Sequence, residues 1–277
     1  MIKLLIVNDF IHEGGTERIM QNIVNYLSKD KYDVTVASIY ENNEKLKAFY
    51  PSYVKYMSLK KLIVDNKYKR YDIRHFLKAI KRRIDKINYL NKINKEKYDV
   101  VIAMKEGDVM ALLQNVKAKK KIAWIHFDYR YVHWTEGVFG TKKKELECMK
   151  KYTNVVCVSK ATYESVINEV GDSENLIIKE NPIDVNEIIK LSKENIDICK
   201  DEEKKLLVSV GKLYPHKNYM HLLKALVKAR SVVGNDYELW IIGDGEQRKE
   251  LEEYIKEYGL SNVKFLGKKD NPYSYIK

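Results

Sequence analysis

Lys212 and Lys217 stand close together just after the apolar run Leu-Leu-Val-Ser-Val at 206–210, with Gly211 between run and lysines. Two ammonium groups beside the start of a helix suit an anion, because free N–H groups, the helix dipole and the side-chain charges all favour phosphate there. Gly211 allows the sharp backbone turn that brings them together. A second run, 238–242, ends in Gly243-Asp244-Gly245, and a pair of adjacent glycines, Gly14-Gly15, follows the first apolar run of the chain. A glycine pair before a helix lets a diphosphate approach the backbone without Cβ obstruction. His126 and Asp128 come directly after the run 121–125. Groups just past the C-terminal end of a parallel strand lie on the ligand side of its sheet.

Other chemistries fail on spacing. In the Gly243 turn Arg248 occupies the third glycine position of a dinucleotide fingerprint, so a nicotinamide site is not indicated. No Walker-type phosphate loop occurs. His12, His75, His126, His133, His216 and His221 form no H-x-x-x-H or D-x-D constellation, so no metal site is expected. Cys148, Cys157 and Cys199 make no C-x-x-C pair and read as reduced thiols of a cytosolic protein.

The elements that carry these residues alternate strand and helix. Apolar runs at 2–7, 33–39, 98–104, 121–125, 155–158 and 175–179 predict the strands of one parallel sheet, and those at 206–210 and 238–242 two buried strands of a second. Ile19, Met20, Ile23, Val24 and Leu27 recur at helical spacing and predict a helix over 17–27 with Thr16 as its N-cap. A helix is expected over 142–151, and a polar helix or linker over 187–203. At 277 residues the chain allows two domains. Asn181-Pro182-Ile183-Asp184 marks the boundary, giving domains 1–184 and 185–277. His133 and Trp134, in the loop after 121–125, are candidates to line an acceptor cleft.

Several motifs agree in order. Val210-Gly211-Lys212 with Lys217-Asn218, Ile241-Ile242-Gly243 with Gly245 and Arg248, the strand Val263-Lys264-Phe265-Leu266-Gly267, the Gly14-Gly15-Thr16-Glu17-Arg18 loop, Val158-Ser159-Lys160 and Asn181-Pro182-Ile183-Asp184 resemble, in sequence, the pattern of retaining family 4 (group 1) glycosyltransferases. The resemblance implies the GT-B fold: two facing, Rossmann-like, doubly wound α/β domains, the first for the acceptor and the second for the nucleotide sugar. It implies transfer of a hexosyl-type sugar, with retention of configuration, from a nucleotide sugar (a UDP-sugar is expected) to a glycan or lipid-linked acceptor in cell-surface polysaccharide synthesis. Lys212 and Lys217 then stabilise the departing diphosphate in place of a metal ion, assisted by the Gly14-Gly15 backbone, with Gly211 and Gly243 shaping the donor site. His126 positions the sugar or the acceptor, with Asp128 beside it, and no cofactor is required. Lys212 stands where the family usually carries Arg, a point charge for a planar fork. The family pattern continues past residue 277 with a pair of glutamates. The second domain is therefore expected to be incomplete, and the alternative is a non-catalytic GT-B-like protein at a membrane surface or in a scaffold.

Charge is uneven. Of a net +12, the segment 55–97 carries fifteen Lys or Arg against four acids, or +11. Within it Ile73, Phe76, Leu77, Ile80, Ile84, Ile87, Leu90 and Ile93 recur at helical steps, and those from Phe76 to Ile87 are expected to be claimed by the core. The basic face is a solvated surface, a contact for anionic lipid, or, least in keeping with the absence of any nucleic-acid module, a nucleic-acid site. The chain opens directly on a strand and contains no run of ~20 apolar residues, which predicts a cytoplasmic protein able to attach peripherally to the inner membrane face.

Overall fold

The computed structural model describes residues 1–9, 14–39, 50–58, 73–234 and 236–277, and for helix residues 73–83, 86, 231 and 233 the backbone alone. The chain divides into two compact units, Met1–Ile183 and Asp184–Lys277.

In the first unit the elements run β1 (Ile2–Asn8), α1 (Gly15–Tyr26), β2 (Tyr32–Ser38), β3 (Lys55–Ser58), α2 (Ile73–Glu96), β4 (Val100–Ala103), α3 (Asp108–Leu113), β5 (Lys120–Ile125), α4 (Glu136–Phe139), α5 (Lys142–Met149), β6 (Asn154–Cys157), α6 (Lys160–Glu169) and β7 (Leu176–Ile178). The strands form one seven-stranded sheet in the order β3-β2-β1-β4-β5-β6-β7, parallel throughout. Alternate residues of β1 face opposite ways. Leu5 and Val7 pack with Tyr89, Ile93, Val109 and Met149 from the helices on one side, and Leu4 and Ile6 pack with Met20 and Val24 of α1 on the other. Burial on both faces is why these strands read as continuous apolar runs. The strand order reverses between β1 and β4, which makes their C-terminal ends the switch point of a doubly wound sheet.

Local details depart from the sequence expectations. The cap of α1 is Gly14, whose carbonyl accepts from the Arg18 amide at 3.1 Å, so Thr16 lies inside the first turn. On α2, Tyr89 and Ile93 enter the core, whereas Ile84 and Ile87 are 52% and 54% exposed. Ile84 lies half a turn round the helix from Ile93, on the face turned away from the sheet. The side chains of Ile73, Phe76, Leu77 and Ile80 lie outside the described residues.

The second unit runs α7 (Val185–Leu191), β8 (Lys205–Val210), a short 3-10 turn (Pro215–Lys217), α8 (Tyr219–Val233), β9 (Tyr237–Ile242), α9 (Arg248–Glu257), β10 (Val263–Gly267) and α10 (Tyr273–Ile276). Its parallel sheet has the order β10-β9-β8. Every residue of the central strand β9 is buried. The edge strand β8 is not the buried strand expected, since Leu207 and Val210 are 44% and 47% exposed. One sheet face packs on α8 and α9 through Leu223, Leu226 and Leu251. The other is covered by Ile196, Ile198 and Tyr275, and the Tyr275 hydroxyl donates to Asp197 at 2.5 Å.

Candidate functional site

In the first unit the candidate site residues lie at the edge made by the residues following β1, β4 and β5. Asn8 is wholly buried and donates to Glu17 Oε1 at 3.0 Å, tying the end of β1 to the first turn of α1. Gly14 has an extended φ of −162°, open to any residue, and a Cβ on Gly15 would meet no described atom within 4 Å.

His126 follows β5. Its amide donates to Glu106 Oε2 at 3.0 Å, and Glu106 is buried in the turn after β4. Burial pushes the Glu106 carboxyl up. The imidazole lies parallel to Trp124 at 6.5 Å, and a ring nitrogen bonds the Met104 carbonyl. Nε2 is buried with no hydrogen-bond partner among the described residues, which puts the ring proton on Nδ1. Burial lowers the imidazole to about 4, so His126 is neutral at pH 7. A neutral ring with one unengaged nitrogen can accept a hydrogen bond but supplies no charge.

Asp128 is committed elsewhere. Arg130 grips its carboxylate at 3.0 Å through Nε and 2.5 Å through Nη2, and this pairing holds the carboxyl below its usual range. His133 and Trp134 separate in role. The His133 imidazole stacks on Tyr129 at 4.7 Å, and its Nε2 lies 2.8 Å from Glu145 Oε2, so it is an internal brace. Trp134 is half-buried, with the Lys105 ammonium 5.7 Å from its ring centroid. Lys105 in turn pairs with Asp9 at 2.5 Å. Sequence reasoning missed Asp9, Lys105 and Glu106, although each follows the C-terminal end of a strand by no more than three residues. That position was the available signal.

In the second unit two post-strand loops lie backbone against backbone. The Gly211 amide donates to the Ile242 carbonyl at 2.9 Å, and the Leu213 amide to the Asp244 carbonyl at 3.0 Å. Gly243 has φ +143°, and a Cβ there would sit 1.9 Å from the Gly211 carbonyl oxygen. A Cβ on Gly245 would sit 2.6 Å from the Leu213 oxygen. Only glycine permits this approach. The loop it fixes carries Lys212, whose ammonium is 6.0 Å from the Tyr214 ring centroid, and Lys217, at the end of the 3-10 turn. Both lysines are exposed, and neither pairs with a carboxylate among the described residues. Asn218, in the left-handed region at φ +59°, then caps α8. Arg248, at the start of α9, is instead held by Glu252 at 2.8 Å and lies over Phe265.

Comparison with known families fits this layout. The family described as Glycosyltransferase Family 4 matches residues 13–187, and that described as Glycosyl transferases group 1 matches residues 192–277. The chain belongs to Glycosyltransferase Family 4. Among curated relatives of this family 4 chain, an uncharacterized glycosyltransferase of Haemophilus influenzae is 26% identical over 91% of the chain and 65% of the relative. The amylovoran biosynthesis glycosyltransferase AmsD of Erwinia amylovora is 25% identical over 94% of the chain and 67% of the relative. The chain thus spans about two thirds of the length of these relatives. Among solved structures, Anabaena Alr3699/HepE in complex with UDP superposes with a TM-score of 0.70 at 16% identity, covering 99% of this chain and 71% of that one. The lipopolysaccharide outer core galactosyltransferase WaaB gives 0.64 at 15% identity, covering 99% and 70%. These likenesses establish a GT-B fold.

Proposed function

We propose that this chain carries out glycosyl transfer from a nucleotide sugar, a UDP-sugar, to a glycan or lipid-linked acceptor in cell-surface polysaccharide synthesis, with retention of configuration. The observation that carries the reading is the pair of exposed lysines, Lys212 and Lys217, with no carboxylate partner among the described residues, on a glycine-locked loop at the C-terminal end of β8. The relatives support the reaction class: AmsD is named for amylovoran biosynthesis, and a Campylobacter jejuni relative, 24% identical, for adding N-acetylgalactosamine to an undecaprenol-linked glycan. The HepE structures with UDP and with UDP-glucose support the donor.

In this reaction the bond from the anomeric carbon to the diphosphate oxygen breaks, and a bond to the acceptor oxygen forms on the same face. The acceptor proton passes to an oxygen of the departing phosphate. Negative charge grows on that diphosphate, and the two ammonium groups stabilise it without a metal ion. His126, neutral and with Nε2 unengaged, orients a sugar hydroxyl; the proton transfer does not run through it. The exposed face of α2, with Lys92 and Lys95, attaches the protein to an anionic membrane surface where a lipid-linked acceptor resides. No helix among the described residues is long and apolar enough to cross a membrane.

Thermal unfolding in the presence of UDP, UDP-glucose, UDP-N-acetylgalactosamine and the corresponding ADP and GDP compounds tests the donor. A rise in midpoint with the uridine compounds, lost in a Lys212→Ala/Lys217→Ala variant, is expected. No rise with any nucleotide sugar would remove the reading.

A further inference from the structure

The N-terminal ends of the strands form the opposite rim of the seven-stranded sheet, and the transfer scheme leaves that rim unused. Two segments meet there. The Lys121 amide donates to Thr153 Oγ1 at 3.0 Å and the Thr153 amide to the Lys121 carbonyl at 2.7 Å, so the start of β5 runs beside the approach to β6. The first segment carries Lys117, Lys119, Lys120 and Lys121, and the second Lys150 and Lys151. All are exposed except Lys121, which is half-buried.

Lys121 and Lys151 converge on one neutral residue. The Lys121 ammonium donates to the Gln114 backbone carbonyl at 2.7 Å, and the Lys151 ammonium to Gln114 Oε1 at 2.9 Å. Gln114 caps the C-terminal end of α3, whose outward carbonyls draw cations. The Lys121 ammonium also lies 5.7 Å from the centroid of the Tyr152 ring. Neither lysine pairs with a carboxylate among the described residues, whereas Lys119 is held by Asp99 at 2.7 Å. Two like charges thus share one glutamine with no acid to balance them. Burial pulls the Lys121 ammonium below its usual range and the Lys151 charge adds to this, against a smaller opposite effect of the Cys148 thiol. The contact with Asp99 pushes Lys119 the other way, up. Desolvation and a neighbouring cation both favour the neutral amine, and they are the conditions that turn a lysine into a nucleophile.

We infer that Lys121 is a site of covalent acylation by small acyl phosphates. The neutral amine attacks the carbonyl carbon of the acyl phosphate, and a C–N bond forms as the C–O bond to phosphate breaks. Phosphate leaves with that electron pair, and the proton of the amine passes to solvent. The surrounding lysines raise the local concentration of an anionic donor, and Lys151, held on the same glutamine, is the cation beside the leaving phosphate. The product amide keeps an N–H for the Gln114 carbonyl and removes one of the two like charges. Acylation therefore relieves the repulsion without orphaning that carbonyl. None of this depends on the glycosyl transfer.

The test incubates the full 277-residue chain, folded and urea-unfolded, with acetyl phosphate and, separately, with the uncharged acyl donor N-acetoxysuccinimide. Glu-specific digestion and tandem mass spectrometry give the initial acetylation rate at each lysine. Lys119 is the internal standard, since it meets the same local donor but is paired with Asp99. In the folded chain Lys121 is expected to react about tenfold faster than Lys119 with acetyl phosphate, and urea to abolish the difference. Lys151→Gln should slow Lys121 several-fold with acetyl phosphate and less with the uncharged ester. Lys121 reacting no faster than Lys119 in the folded chain, or an equal preference after unfolding, overturns the assignment. A preference seen only with the uncharged ester would mean an activated amine that does not take acyl phosphates, and overturns it as well.

Discussion

At the scale of single residues, His126 and Lys217 sit in opposite surroundings, one desolvated and the other exposed. His126 is held at about 4 by burial, against an ordinary value of 6.5. A folded-state pKa below the unfolded one means the unfolded chain binds the proton first as pH falls. The stability that His126 contributes is therefore complete above about pH 6.5 and lost progressively between about 6.5 and 4, amounting to at most about 3 kcal/mol. His126→Asn should flatten that part of the urea-unfolding profile relative to the parent chain, and identical pH profiles would show that the imidazole is not desolvated. Lys217 is the reverse case, an exposed side chain. Lys217→Ala should leave the unfolding midpoint nearly unchanged, because exposed substitutions stay within roughly 0.5 kcal/mol. It should weaken UDP binding by about ten- to a hundredfold, the worth of one charge-assisted contact at a diphosphate. Calorimetric titration with UDP checks this, and undiminished affinity would take Lys217 out of the site.

At the scale of elements, the ends of β8 and β9 stand or fall on glycine. Gly243→Ala would put a Cβ 1.9 Å from a carbonyl oxygen at φ +143°, and neither backbone has room to retreat. A loss of at least about 2–3 kcal/mol is expected from strain and clash together. Gly140→Ala is the control: its φ is +77°, in the left-handed region, but a Cβ meets no described atom within 4 Å, so about 1 kcal/mol is expected. Equal destabilisation of the two variants in urea would mean that the loops do not lie in contact. The importance of Gly211 and Gly243 was legible because strand, glycine and helix follow one another at fixed spacing, and doubly buried strands such as β1 and β9 announce themselves as apolar runs. Three features were not legible. The Asp9–Lys105 pair joins residues 96 apart, and the Glu145 brace draws on a loop with no periodicity. The exposure of Leu207 and Val210 depends on β8 being an edge, which composition does not record.

At the scale of the whole molecule, a net charge of +12 with +11 in the segment 55–97 makes the protein strongly one-sided in sequence. Each Lys or Arg near an anionic bilayer contributes about 1 kcal/mol, within a Debye length of ~8–10 Å at moderate salt. Four or five engaged side chains therefore suffice for attachment without a membrane span. Charge alone predicts complete release near 0.5 M salt. The exposed Ile84 and Ile87 alter that expectation, because they lie on the same length of α2 as the exposed Lys92 and Lys95 and have not been consumed by the core. Burying two isoleucines in the headgroup boundary contributes roughly 1.5–3 kcal/mol each if burial is complete, and this part does not respond to screening. Co-sedimentation with phosphatidylglycerol vesicles should thus fall steeply with salt but level off above zero, and neutral vesicles should bind weakly. Ile84→Ser/Ile87→Ser should remove the salt-resistant fraction while sparing the low-salt binding. Complete release of the parent chain at 0.5 M salt would confine the membrane contact to electrostatics, and equal binding to neutral and anionic vesicles would exclude the basic face of α2 as its source.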